Sequence, residues 1–135
     1  MRNQTETLIG RYYAAFNARD WSGMIACLSD DVIHDVNQGG RHRGKAHFSS
    51  FLAHMDKCYR EELKNIVILS NADGAHAAAE FVVHGAYLAT DEGLPPANGQ
   101  TYVLPAGAFF DVKGGLISRV STHYNLQDWL KQVGA

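Results

Sequence analysis

Cysteine and proline are both scarce in this chain, two of the first and three of the second in 135 residues. Cys27 and Cys58 stand too far apart for a zinc ribbon and are too few for a stapled secreted domain, so both read as reduced packing residues. No apolar run approaches the roughly 18 residues of a membrane span, and the opening MRNQTETLIG lacks a signal-peptide core. The expected location is therefore the cytoplasm, with no membrane partner. Positive charge is thin as well: 12 Lys and Arg, scattered among 14 Asp and Glu, give a net charge of −2 and no basic stripe that could track a phosphate backbone. Nucleic acid is excluded as the expected partner. There is no Gly-x-Ser-x-Gly elbow, and NQGGRHRG lacks the Lys-Ser/Thr ending of a phosphate loop, so its glycines read as turn residues.

What is present is a soluble globular composition, 46% hydrophobic and 19% charged. A chain of this length can bury about two-thirds of the surface it exposes when unfolded, enough for one domain over residues 1–135. Seven histidines are more than such a composition predicts.

Asn3 and Glu6 have capping-box spacing, and Leu8, Ile9, Tyr12, Tyr13 and Phe16 follow on one helical face. Asp20 can cap a short second helix carrying Met24, Cys27 and Leu28, which Ser29, Asp30 and Asp31 break before a strand over 32–37. Phe48, Phe51, Leu52 and Met55 mark a third helix. From Leu63 onward the runs LKNIVILS, AHAAAEFVVHGAYLAT, GQTYVLPAGAFFDV and GLISRVSTHYNL read as four antiparallel strands. Two of their connections are short; the third, DEGLPPANG, is long enough to cover a site. A last amphipathic piece, LQDWLKQV, can dock Trp129 and Leu130. Helices first and strands after give an α+β order, with a curved sheet wrapped around the helices and an apolar cavity between them.

These elements, with RYYAAFNARDWSGMIACLSDDVIHD and GGLISRVSTHYNLQDW, make the chain resemble the nuclear transport factor 2-like superfamily, and within it the branch of ketosteroid isomerases and SnoaL-like polyketide cyclases. The resemblance implies a cone-shaped curved antiparallel sheet around three N-terminal helices, a homodimer, and no cofactor or metal. It assigns Asp35 as the general base that moves a proton on carbon, and Tyr12 as the phenol that holds the oxyanion. The family's second oxyanion acid falls at Gly107, which leaves His123 as a substitute donor.

Alternation along 32–37 puts Ile33, Asp35 and Asn37 on one face and Val32, His34 and Val36 on the other, so one of Asp35 and His34 faces inward. An acid inside an apolar cavity has its pKa raised, which suits a carbon-acid base. The rival reading is that Asp35 caps the NQGG turn through backbone amides. Tyr12 has a rival too, as a core tyrosine. His34 then becomes a partly exposed or interface residue, and His84, of the parity of Glu80 and Val82, falls on an outer face suited to dimerisation. His42, His47 and His54 show no paired metal spacing and read as the polar edge of the third helix.

The function expected is an isomerase or cyclase acting on a small hydrophobic carbonyl compound through an enolate. Phe16, Asn37, Phe48, Leu52, Phe81, Val83, Tyr87, Phe109 and Asn125 would bind the substrate. A non-catalytic binding or dimerisation module is the alternative. Water addition to an epoxide comes third, since related folds use an Asp-Arg-Asp set and only Asp35 and Arg119 offer themselves.

Overall fold

In a computed structural model describing residues 1–37 and 39–134, the N-terminal half supplies α1 (Arg2–Asn17), α2 (Trp21–Ile25), β1 (Leu28–Asp35), β2 (Arg41–Arg43) and α3 (Lys45–Cys58). The C-terminal half supplies β3 (Tyr59–Ser70), β4 (His76–Tyr87), β5 (Thr101–Lys113), β6 (Leu116–Tyr124) and α4 (Leu126–Val133). The six strands form one sheet in the order β2-β1-β6-β5-β4-β3. The meander β3 to β6 is antiparallel as expected, while β1 joins β6 in parallel, His34 opposite Val120 and Asp35 opposite Ser121.

The sheet curves because its strands are irregular at defined places. In β3 the pairing slips between Lys64 and Val67, and Asn65 there takes φ 56°, a left-handed conformation that Asn tolerates better than most residues. The bend turns the inner face of the sheet toward α1, whose Leu8, Ile9, Tyr12 and Tyr13 are all buried. Tyr13 meets Phe81 and Phe110 at ring distances of 5.2 and 6.0 Å. No helix among the described residues is long and apolar enough to cross a membrane.

Three local expectations change. The first helix starts two residues earlier than the capping box implies, so Asn3 is helical and Glu6 instead accepts a hydrogen bond from Ser70 at 2.7 Å. The first strand begins at Leu28, because Leu28 and Val32 are wholly buried strand positions rather than the far face of α2. Asp20 does cap α2, accepting from the Gly23 amide at 2.9 Å. The third strand begins at Tyr59, four residues before the apolar run that announces it.

That early start creates a close crossing of three strands. Glu61 of β3, Gly85 of β4 and Tyr102 of β5 lie side by side in register. A Cβ on Gly85 would come within 2.3–2.5 Å of the Tyr102 ring and hydroxyl. With glycine there, the Tyr102 ring lies across β4 and its hydroxyl donates to Glu61 Oε2 at 2.5 Å. Gly85→Ala is expected to displace that ring and destabilise the protein by roughly 2 kcal/mol or more in urea unfolding. Adding Tyr102→Phe to Gly85→Ala should cost much less than the two single effects summed, since both remove the same contact.

Candidate active site

A cavity of about 650 Å³, a size that takes a small organic ligand, lies between the inner face of the sheet and the helices. Its depth is apolar: Phe48 and Leu52 of α3, Phe81 and Val83 of β4, Leu104 of β5 and the two tyrosines of α1. Its rim is polar, formed by His42 and His47, by His54 at the end of α3, and by Asp91 and Glu92 of the long β4–β5 loop. Four of the seven histidines, His34, His42, His47 and His54, line it, which accounts for much of their excess.

Of the residues singled out in the sequence, Tyr12, Phe16, Asn37, Phe48, Leu52, Phe81 and Val83 line this cavity. Asp35, His123, Tyr87, Phe109 and Asn125 do not. Strand alternation sends Asp35 outward and His34 inward, where its ring packs against Phe48 and Phe51 at 4.9 and 4.5 Å. Asp35 therefore meets no apolar wall. Arg41 donates to it through Nε at 2.7 Å and Nη2 at 3.0 Å, and Arg119 Nη1 lies 3.4 Å away. Its pKa is held below the ordinary value, first by the Arg41 hydrogen bonds; burial opposes them, and the Arg41 charge with the Arg119 hydrogen bond and charge keeps the net direction downward. This reverses the raised pKa expected of an enclosed base. The turn-capping reading finds no Asp35 bond to a described amide either; Gln38 lies outside the described residues.

The same alternation takes two more of the residues assigned to the pocket out of it, and two others are held elsewhere. His123 and Phe109 sit on the outer face, exposed, with ring centroids 5.6 Å apart and Ser121 Oγ 2.5 Å from His123 Nε2. Gly107 shares that face, and Ala106 is the cavity residue beside it. Asn125 caps α4, accepting from the Asp128 amide at 3.2 Å. Tyr87 is fully buried behind the wall, donating to the Pro95 carbonyl at 2.7 Å and accepting from the Asp91 amide at 2.9 Å. An Asp-Arg-Asp set does exist, since Arg119 Nε also donates to Asp111 Oδ2 at 3.1 Å. None of its three members lines the cavity.

Sequence reading missed a carboxyl that does. Glu61 lines the cavity one strand pair from its aromatic end, and burial, opposed only in part by the Tyr102 hydrogen bond, raises its pKa. Two residues away on the same face, the Tyr59 hydroxyl donates to Asp91 Oδ2 at 2.7 Å, and His54 Nε2 stands 2.8 Å from Asp91 Oδ1. Trp129 closes this end, packed on Tyr59, Tyr87 and Tyr102 at 6.2, 5.0 and 6.0 Å. Tyr124 reaches the cavity from β6; its phenol is raised in pKa by burial and then by the nearby Glu61 and Asp91 carboxylates. The arrangement offers a desolvated acid, neutral phenols and an apolar seat for a ligand body.

Comparison with known proteins agrees with this architecture. Residues 9–120 match the SnoaL-like domain family, and the chain belongs to that family. It is similar to solved structures of provisionally named polyketide cyclases from Pseudomonas putida KT2440 (61% identity, 96% of this chain and 97% of that one, TM-score 0.94) and Xanthomonas campestris pv. campestris (56%, 97% and 97%, 0.94). A third, from Silicibacter sp. TM1040, is 56% identical over 99% of this chain and 98% of its own, with TM-score 0.96. An epoxide hydrolase of Mycobacterium tuberculosis, 18% identical at TM-score 0.77, shares the fold alone. No curated protein matches the sequence.

His34 yields a pH prediction. Burial first, and His42 second, push its pKa from 6.5 down to about 4. Between those values the unfolded chain holds the proton and the folded chain does not, so stability present above pH 6.5 is lost as pH falls toward 4. The loss attributable to His34 amounts to about 3 kcal/mol. Urea-unfolding free energies of wild type and His34→Gln, compared from pH 7.5 to 4, should differ by that much less at the acid end.

Proposed function

We propose that the protein is an isomerase- or cyclase-type enzyme that moves a proton at carbon in a small hydrophobic carbonyl compound, with Glu61 as the acid-base group. One observation carries this reading: Glu61 presents a carboxyl with raised pKa to an apolar cavity, the property that the sequence led us to seek in Asp35. As carboxylate, Glu61 takes the proton from the carbon next to the substrate carbonyl; as carboxylic acid, it returns that proton to the same or a conjugated carbon. The enolate oxygen formed between these steps needs a donor, and Tyr124, a cavity-lining phenol that feels the Glu61 charge, is the candidate. Tyr12, the phenol favoured by family resemblance, faces the apolar depth.

A binding module is the second reading, favoured by Val36 and Ala106, which bring no acid to the cavity from β1 and β5. The outer sheet face, where Phe109 and Val103 are half exposed, is the surface that either reading gives to a second copy of the chain.

The test is α-proton exchange in deuterated buffer, read by mass spectrometry over cyclic ketones, enones and β-keto esters. Exchange by wild type should fall about 100- to 10,000-fold in Glu61→Gln and persist in Asp35→Asn. Tyr102→Phe should move the acidic limb of the pH–rate profile upward, because the lost hydrogen bond is the one that lowers the Glu61 pKa. Ligand retention without exchange in any variant or in wild type leaves the binding module; exchange lost only in Asp35→Asn returns the role to Asp35.

A further inference from the structure

We infer that His54, Cys58 and Asp91 form a three-ligand site for a zinc-class transition metal at the cavity rim. His54 and Cys58 are four residues apart on α3, so one helical turn stacks an imidazole above a thiol on one face. Asp91 comes to them from the β4–β5 loop. The His Nε2, Cys Sγ and Asp carboxylate oxygen all lie within 4.8 Å of one another.

The decisive feature is which nitrogen is used. His54 Nε2 stands 2.8 Å from Asp91 Oδ1 and 3.9 Å from Cys58 Sγ. In a catalytic relay the imidazole bridges its two neighbours with two different nitrogens, one donating and one accepting. Here both neighbours converge on a single nitrogen, which has one lone pair or one proton and can serve only one of them. Convergence of three donor atoms on a common point is what a metal ion requires. Tetrahedral zinc bonds set ligand atoms roughly 3.3–3.7 Å apart, so side-chain shifts on the order of 1 Å or less complete the set.

The site is also built beforehand. The Leu88 and Ala89 amides both donate to the Cys58 carbonyl, at 2.7 and 3.3 Å, which fastens the loop to the end of α3. The Asp91 amide is held by the Tyr87 hydroxyl at 2.9 Å. The carboxylate oxygen not facing His54 accepts from Tyr59 at 2.7 Å, the kind of outer bond that orients a metal-ligating carboxylate. Cys58 is 1% exposed, whereas His54 and Asp91 line the cavity. A bound ion would thus have protein behind it and a free fourth position toward the ligand space, as in sites with three protein ligands and a water. A thiolate, an imidazole and one carboxylate favour zinc over magnesium or calcium, which take oxygen ligands. Binding deprotonates the Cys58 thiol, and its proton passes to solvent.

The experiment uses the full chain, stripped with chelator, and reads metal binding rather than turnover, so it is independent of Glu61 chemistry. Titration with Zn2+ should show one site per chain, with no competition from Mg2+. Co2+ should give the near-ultraviolet charge-transfer band of a cobalt–thiolate bond together with intense visible bands of tetrahedral geometry. His54→Gln, at a half-exposed position, should weaken Zn2+ binding about 100-fold, and Tyr59→Phe by roughly tenfold through loss of the outer bond. Cys58→Ser should abolish the cobalt–thiolate band, and where that buried substitution fails to fold, the cobalt spectrum of wild type decides in its place. Absence of one-site Zn2+ binding, equal binding by wild type and His54→Gln, or a cobalt spectrum without the thiolate band overturns the assignment.

Discussion

Everything chemical in this protein depends on the two-residue period of a strand whose one face is shut against helices. Along β1 the period separates His34 from Asp35, along β3 Glu61 from Glu62, along β5 Ala106 from Gly107, and along β6 Thr122 and Tyr124 from His123. Each pair consists of neighbours in sequence whose surroundings are opposite. A slip of one residue in any strand would exchange the cavity's contents for the outer face's, and the buried Phe81, Phe110 and Val120 fix the register against such a slip.

The two carboxyls at the centre of the argument show how far surroundings outweigh residue type. Asp35 lies on the outer face in a chain of polar contacts running Arg41, Asp35, Arg119, Asp111, His76. Its side chain remains partly open to water, so these pairs keep it ionised and tie β1, β2 and β6 together more than they stabilise the fold. Glu61 has no cation partner among the described residues, only a phenol, and sits half-buried in the cavity wall, where burial outweighs that hydrogen bond. Ionisation is disfavoured there because the charge would lose its hydration without gaining a counter-charge. An acid that must take up a proton belongs in the second setting.

The fold was legible because its signals are periodic and long: the apolar face of α1, the stripe of α3, the β-branched runs and the amphipathic α4 whose Trp129 docks as expected. The cavity wall contributed by those elements was legible for the same reason. Asp35 misled because motif likeness placed an acid near the end of β1 without fixing its parity. The parity argument left two choices, and only the burial of Val32 and His34 on the same side decides between them. Glu61 was missed because the apolar runs that announce the strands start only at Leu63, while β3 in fact begins at Tyr59. Counting back by twos from the buried Leu63 would have selected Glu61 over Glu62 and brought Tyr59 with it. The His54–Asp91 contact joins positions 37 apart through a loop without periodicity, so no local pattern could announce it.

The polarity of the cavity then constrains how a ligand lies in it. Phe48, Leu52, Phe81 and Val83 are almost wholly buried, so a ligand's hydrocarbon body gains most by entering that depth. A carbonyl carried there would lose its hydration with few polar groups to replace it, Tyr12, Tyr13 and His34, whereas toward the rim it meets Tyr124, Glu61 and the Asp91 end of the loop. Both terms favour the same orientation, with the apolar body inward and the carbonyl toward the rim. On the proposed reading, that orientation sets the carbon next to the carbonyl toward Glu61, while Asp35 lies on the other face of the sheet, outside the cavity. The long loop matters for the same reason: Tyr87 and Tyr59 hold Asp91 at the rim, so the polar end of the cavity is set by side chains anchored in β3 and β4 rather than by the loop's own conformation.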